Sequence, residues 1–163
     1  MPPPSAVSNT GPLIALAKVD LLPMLRSLFG RVRVPPAVQR ELLAGTGDDV
    51  TRLQLAFADF LDVEPPPAPA QEVSDAVRHL GAGEQEAVRL ALHLRALLLI
   101  DDHAARSVAK GTGLAITGTA GVLIQAKAAG LVPAVSPVLI EMRAKGYWLS
   151  DGLLDAAARM AGE

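Results

Sequence analysis

The sequence predicts an α/β fold built on a mostly parallel sheet. Residues 97–100 are four consecutive branched apolar residues, a pattern typical of a strand that is buried on both faces of a parallel sheet. Strand and helix patterns alternate along most of the chain, and amphipathic helix patterns end it. This alternation favours a sheet with helices packed on it, followed by a helical C-terminal tail.

Short strand patterns precede helix patterns in the first half of the chain. Residues 6–8 are apolar, and Asn9 and Pro12 follow, as expected for an N-cap and the first turn of a helix. Residues 31–34 alternate as a strand, which Pro35 ends. The other patterns in this half predict helices over residues 13–17, 21–28, 36–44 and 48–60 and a short strand over residues 61–63.

The second half continues the alternation and then becomes wholly helical. Residues 64–70 form a Pro-rich connector that is stiff but too short to separate two domains. We therefore expect a single domain over residues 1–163, with residues 1–5 as a frayed lead-in. Helices are predicted over residues 71–80, 84–95, 104–110, 120–129, 136–145 and 151–160, and strands over residues 97–100 and 114–116.

Composition excludes several classes of protein. The chain of 163 residues has no cysteine, which excludes a disulfide scaffold and thiolate metal sites. Its formal net charge of −2 indicates that any nucleic-acid site is a local patch. We find no glycine-rich nucleotide-binding motif, no signal-peptide pattern and no uninterrupted apolar span. We therefore expect a cytoplasmic protein without a membrane partner.

Polar side chains lie where a parallel sheet would bring them to one edge. Asp101 and Asp102 follow the central strand, and Asn9 follows the first strand; the carboxyl ends of parallel strands are where ligands bind. Glu41 on an early helix and Glu84 in the first turn of a later one are placed to join them. Adjacent carboxylates repel unless a cation lies between them. Oxygen ligands suit Mg²⁺ or Mn²⁺, and such ions activate water for attack on phosphorus.

Each of these residues also has a structural alternative. Asp102 could cap the helix that follows it, with Asp101 solvated, and Asn9 could cap the first helix. Glu84 is favoured in a first turn by the helix dipole alone. Glu41 could be a solvated helix residue.

The other cationic and aromatic residues have open roles. Arg106 could bind a phosphate or pair with the acid one helical turn before it. Arg31 and Arg33 fit a solvated face better than a basic RNA patch. Tyr147 and Trp148 could stack on bases or join a dimer contact. Because the chain has few aromatic residues, we expect them instead to pack against the rest of the protein.

Five segments in chain order carry a resemblance to a known family. They are residues 7–16 (VSNTGPLIAL), 34–42 (VPPAVQREL), 80–87 (LGAGEQEA), 98–106 (LLIDDHAAR) and 116–119 (ITGT). Each motif alone is weak, but together they resemble the PIN-domain superfamily, in particular the small prokaryotic PIN-like proteins related to VapC toxins.

This resemblance implies a three-layer α/β/α PIN-like fold and a metal-dependent endoribonuclease that uses Mg²⁺ or Mn²⁺. Such proteins are often the toxin of a type II toxin–antitoxin pair and often homodimers, so RNA, an antitoxin protein and a second copy are the implied partners. The implied site residues are Glu41, Glu84 and Asp102 for catalysis, Asn9, Glu41, Glu84, Asp101 and Asp102 for metal binding, and Thr10 and Arg106 for substrate binding.

The chain departs from the family pattern at Asn9, where the family has an acid. An amide oxygen can ligate a hard cation but brings no charge, so this change should weaken metal binding. The alternative hypothesis is therefore a catalytically weakened or inactive PIN-like module that binds RNA or a protein partner.

Overall fold

Five short parallel strands form the centre of the fold. The computed structural model describes residues 5–163, and its strands are β1 (Ala6–Ser8), β2 (Val32–Val34), β3 (Leu61–Val63), β4 (Leu97–Leu99) and β5 (Ile116–Thr117). They lie in the order β3-β2-β1-β4-β5, and every pairing is parallel. The register places Ser8 beside Leu99, so the residues that follow β1 and β4 leave the sheet side by side.

In the described part of the chain, ten helices surround this sheet. They are α1 (Thr10–Lys18), α2 (Pro23–Phe29), α3 (Pro36–Leu43), α4 (Asp48–Asp59), α5 (Gln71–Val77), α6 (Ala82–Leu94), α7 (His103–Gly111), α8 (Thr119–Ala128), α9 (Ser136–Ala144) and α10 (Asp151–Met160). None of them, within residues 5–163, has the length and hydropathy that crossing a membrane requires. The first four residues, which belong to the predicted lead-in, lie outside the described part of the chain.

Two apolar clusters lie on opposite faces of the sheet. Successive strand residues point to opposite faces, so Ala6 and Leu99 belong to one cluster while Val7 and Leu98 belong to the other. The first cluster packs the sheet against α1–α4 and α8–α10, and the second packs it against α5–α7. This arrangement confirms the predicted α/β fold with a parallel sheet and three layers.

Several element boundaries differ from the predictions, and two of these differences have a clear physical reason. Leu114 donates its amide hydrogen to the Ala109 carbonyl at 3.2 Å, so it closes the end of α7, and β5 begins two residues later than predicted. Helix α6 begins at Ala82 rather than Glu84. Gly83 therefore lies inside the helix, where a Cβ would lie 2.7 Å from Glu41 Oε1. This glycine allows α3 to approach α6 closely.

The carboxylate of Glu163 connects the three helices of the C-terminal tail. Glu163 accepts hydrogen bonds from the Val135 amide at 2.7 Å, the Ser136 amide at 2.9 Å and Lys127 Nζ at 2.9 Å. These contacts join the end of α10 to α8 and to the start of α9. The hydrogen bond from Lys127, with those from the two amides, lowers the pKa of Glu163 to about 2.

Candidate active site

A cleft of about 880 Å³ lies at the carboxyl edge of β1, β4 and β5. This is the edge where α/β sheets bind ligands. The cleft brings together every residue that the sequence placed in the site, which are Asn9, Thr10, Glu41, Glu84, Asp101, Asp102 and Arg106. Residues from four separate segments of the chain therefore share one cavity wall.

Asn9 is buried and its side-chain oxygen has no partner. The residue is 4% exposed, and its backbone amide donates to the Leu99 carbonyl at 2.9 Å. It occupies the N-cap position of α1, yet its side chain caps no amide of that helix. No donor in residues 5–163 reaches Oδ1, although leaving a buried acceptor unsatisfied costs about 1–3 kcal/mol. The capping alternative is therefore not observed, and Oδ1 is available to a cation.

Asp101 is held by three donors from distant segments. Its Oδ1 accepts the Thr119 amide hydrogen at 2.7 Å, and its Oδ2 accepts Thr119 Oγ1–H at 2.6 Å and the Tyr147 hydroxyl at 2.5 Å. The alternative in which Asp101 is simply solvated is therefore not observed. Burial, together with the charge of Asp101, raises the pKa of Tyr147, so the phenol stays protonated and continues to donate. Gly118 permits this arrangement, because a Cβ there would lie 2.7 Å from Asp101 Oδ1.

Asp102 caps α7 with one oxygen. Its Oδ2 accepts the Ala105 amide hydrogen at 2.9 Å, which is the structural alternative considered for this residue. Its Oδ1 accepts no hydrogen bond from the described residues. Because only one oxygen is used by the cap, Asp102 can cap α7 and still offer an oxygen to the cleft.

The carboxylates of Glu41 and Glu84 each lie close to a glycine at the start of α6. Glu41 Oε2 accepts the Thr10 hydroxyl hydrogen at 2.7 Å, and its Oε1 lies 2.7 Å from the position of a Cβ on Gly83. Glu84 Oε2 lies 2.6 Å from the position of a Cβ on Gly81. A larger residue at either glycine would displace a carboxylate. The two glycines thus set how closely these acids approach the cleft.

Helix α3 is oriented by an acid that sequence reasoning did not single out. Glu86 on α6 accepts the Ala37 amide hydrogen at 2.7 Å, which satisfies an amide in the first turn of α3. This contact fixes the helix that carries Glu41 against the helix that carries Glu84.

Two of the arginines considered from the sequence are paired with an acid, and a third lines the cleft. Arg31 donates twice to Asp62, at 2.6 and 2.5 Å, and this holds the pKa of Asp62 below its ordinary value. Arg33 also lies within ion-pair distance of Asp62, so neither forms an unpaired basic patch. Arg106 instead donates to the Ile100 carbonyl at 2.8 Å and lines the cleft. Its pairing with Asp102, one of the two alternatives, is not observed among the described residues.

Comparison with protein families decides the relationship. The family model described as a PIN domain matches residues 5–163, nearly the whole chain. The chain belongs to the PIN-domain family. No curated protein sequence matches it. PIN domains are generally nucleases and typically use divalent metal ions. The resemblance of the five sequence segments to the PIN-domain superfamily is thus confirmed.

The oxygen donors of this PIN domain fit a hard divalent cation. Carboxylate and amide oxygens are the ligands that Mg²⁺ and Mn²⁺ prefer, and the cleft supplies both kinds. Within residues 5–163, no three His, Cys, Asp or Glu side chains stand close enough to form a ready-made metal-binding group. The fit therefore rests on the buried, unpartnered Oδ1 of Asn9 in a cleft lined by carboxylates.

The two neighbouring aromatic residues have different surroundings. Tyr147 contacts Asp101 as described, and this role was missed because the two residues are 46 positions apart. Trp148 also lines the cleft, but its side chain is 83% exposed. The expectation that Trp148 packs is therefore wrong. Among the five resembling segments, residues 116–119 include Thr119, the other residue that donates to Asp101. That segment was the only sequence signal pointing to the surroundings of Asp101.

Proposed function

We propose that this PIN domain is an endoribonuclease that hydrolyses RNA phosphodiester bonds with the help of Mg²⁺ or Mn²⁺. The observation that supports this most directly is the unpartnered Oδ1 of Asn9, buried in the cleft that Glu41, Glu84 and Asp102 also line. A buried acceptor without a donor is costly, and a cation is the partner that also offsets the nearby negative charges.

The ligands proposed for the ion are the oxygens of Asn9, Glu41, Glu84 and Asp102. When bound, a divalent ion supplies Lewis-acid activation of water and offsets charge on the scissile phosphate. Asn9 contributes a neutral oxygen, and the three acids contribute charge.

The other cleft residues position these groups and the substrate. Thr10 donates to Glu41 and orients its carboxylate. Arg106 uses one nitrogen for the Ile100 carbonyl and has further N–H groups, a donor set that suits a phosphate oxygen. Asp101 already accepts three hydrogen bonds. We therefore assign it to holding the edge of the cleft in shape, with a weaker share in metal binding.

The finer biological assignment is the toxin of a type II toxin–antitoxin pair, acting on RNA in the cytoplasm as a homodimer and neutralised by an antitoxin protein. Its support is the resemblance of the five segments to VapC-related proteins. Co-expression with the protein of a neighbouring small reading frame tests it: rescue of growth supports the assignment, and unrestricted growth on expression of the chain alone contradicts it.

A second candidate function is an RNA- or protein-binding module that does not cut. It is favoured by the neutral Asn9 at the position of a family acid and by the lack of a three-acid group in the described residues. Both candidates share the fold and the cleft, so only metal binding and turnover separate them.

Calorimetry with Mn²⁺, paired with RNA cleavage in Mg²⁺ and in EDTA, tests the proposal. We expect saturable Mn²⁺ binding and cleavage that EDTA abolishes. Both should be lost in Asp102→Asn and retained in Asp48→Asn, which changes an exposed acid in the first turn of α4 outside the cleft. Cleavage that persists in EDTA and in Asp102→Asn contradicts the proposal. Metal binding and cleavage that appear only in Asn9→Asp favour the binding module.

A further inference from the structure

The cleft is lined by both polar and apolar side chains. The polar lining includes the acids and Arg106. The apolar lining includes Ile124, Trp148, Leu153 and Met160, which we call the apolar shelf. Three of these side chains are open to solvent, since Trp148 is 83%, Met160 74% and Leu153 40% exposed. One continuous cavity therefore offers groups for charge beside groups for apolar contact.

Trp148 is held in place by its two neighbours in sequence. The Tyr147 hydroxyl is bonded to Asp101, and Leu149 is only 6% exposed and belongs to the apolar core. The backbone on both sides of Trp148 is thus anchored while its indole remains open. Consecutive Cα atoms are about 4 Å apart. The backbone of Trp148 therefore lies next to that of Tyr147, the residue that contacts Asp101.

We infer that Trp148 is a stacking platform for an unpaired base of the RNA whose phosphate lies among the acids, an inference that rests on the proposed function. A nucleotide joins an anionic phosphate to a flat base. The cleft likewise offers Arg106 and the proposed cation site for the phosphate and an exposed indole for the base. Bases in a duplex are stacked on one another and are not available to an indole, whereas single-stranded bases stack on aromatic side chains. Stacking on Trp148 therefore requires an unpaired base.

Trp148 is the chain's only tryptophan, so its fluorescence reports directly on this site. We would titrate the full chain with an unstructured RNA octamer and with the same sequence in a blunt duplex. The buffer contains Ca²⁺ in place of the Mg²⁺ that the proposed function expects to support cleavage, and gels check that the RNA stays intact. The single strand is expected to quench the fluorescence saturably, and the duplex to leave it nearly unchanged.

Substitution separates stacking from general RNA affinity. With labelled RNA and anisotropy as the readout, Trp148→Ala should weaken single-strand binding roughly 5- to 150-fold, the range for losing one stacked base. Trp148→Phe should recover part of the loss. Leu55→Ala is the matched control, because Leu55 is 67% exposed and does not line the cleft. Circular dichroism should show all three variants folded, since both positions are exposed.

The outcomes separate this inference from the proposed function. Wild-type affinity in Trp148→Ala, with metal-dependent cleavage intact, overturns the platform and leaves the nuclease. Saturable quenching by the single strand, together with weaker RNA binding in Trp148→Ala and no cleavage, upholds the platform in a binding module. If Trp148→Ala leaves RNA affinity unchanged but converts a dimer to a monomer in sedimentation, the shelf is a protein interface and the inference fails. Absence of saturable RNA binding also overturns it.

Discussion

Asp102 offers the sharpest test, because its capping role and its proposed ligand role use different oxygens. Asp102→Ala removes both. Loss of an N-cap side chain costs about 1 kcal/mol, so the melting temperature should fall by about 2–4 °C in a chain of this size. Asp102→Asn keeps an oxygen for the Ala105 amide, because Asn caps helices as well as Asp does. Its stability should stay within about 0.5 kcal/mol of wild type, since the lost helix-dipole attraction is offset by weaker repulsion from Asp101.

Metal binding and RNA cleavage should depend on the negative charge of Asp102 and not on its role as a helix cap. Both variants are expected to lose saturable Mn²⁺ binding in calorimetry and to lose metal-dependent RNA cleavage, although only the alanine variant is destabilised. Thermal unfolding monitored by circular dichroism supplies the stability comparison. Wild-type Mn²⁺ affinity and cleavage in Asp102→Asn would refute the reasoning and reduce Asp102 to a helix cap.

Three further changes have distinct expected outcomes. Asn9→Asp should tighten Mn²⁺ binding in calorimetry and lower metal-free stability to urea, because it buries a further negative charge beside the acids; unchanged affinity would contradict its ligand role. Gly83→Ala should reduce cleavage, because its Cβ would lie 2.7 Å from Glu41 Oε1. Gly152→Ala, where a Cβ meets nothing within 4 Å, should keep full activity and gain up to about 1 kcal/mol in urea unfolding; equal activity in both variants would count against the close approach. Glu163 has a pKa lowered to about 2, so its stabilisation is complete above the ordinary value of 4.5 and disappears as the pH falls toward 2. Urea unfolding of Glu163→Gln should therefore differ from wild type at pH 7 and converge with it near pH 2, and a constant difference would refute this assignment.

The parallel sheet was predictable because its information is local. The run of branched residues before Asp101, followed by a helix pattern, is sufficient to indicate a strand buried on both faces, and the strand-end rule then groups Asn9 with the acids. The start of β5 was not predictable, because apolar Leu114 fits a strand equally well. Only its hydrogen bond to Ala109 shows that it closes α7.

The finer features of the site depend on contacts between distant segments. No local pattern relates Tyr147 to Asp101 across 46 positions. Composition favoured a packed Trp148, but the direction of a loop side chain is set by what anchors its neighbours. The unpartnered Oδ1 of Asn9 is likewise a property of its surroundings, since the sequence alone is equally compatible with a capping bond.

The hydrogen bond from Tyr147 to Asp101 makes the C-terminal tail part of the energetics of the cleft. Any ligand that fixes the position of Asp101 also favours the docked position of the segment between α9 and α10, and this coupling is reciprocal. Binding in the cleft should therefore slow amide hydrogen exchange in α9 and α10, whose opening is a local event of lower free energy than global unfolding. Conversely, loosening of the tail at elevated temperature should disturb the cleft before the sheet unfolds. The helices that follow the site in the chain thus help to hold it in shape.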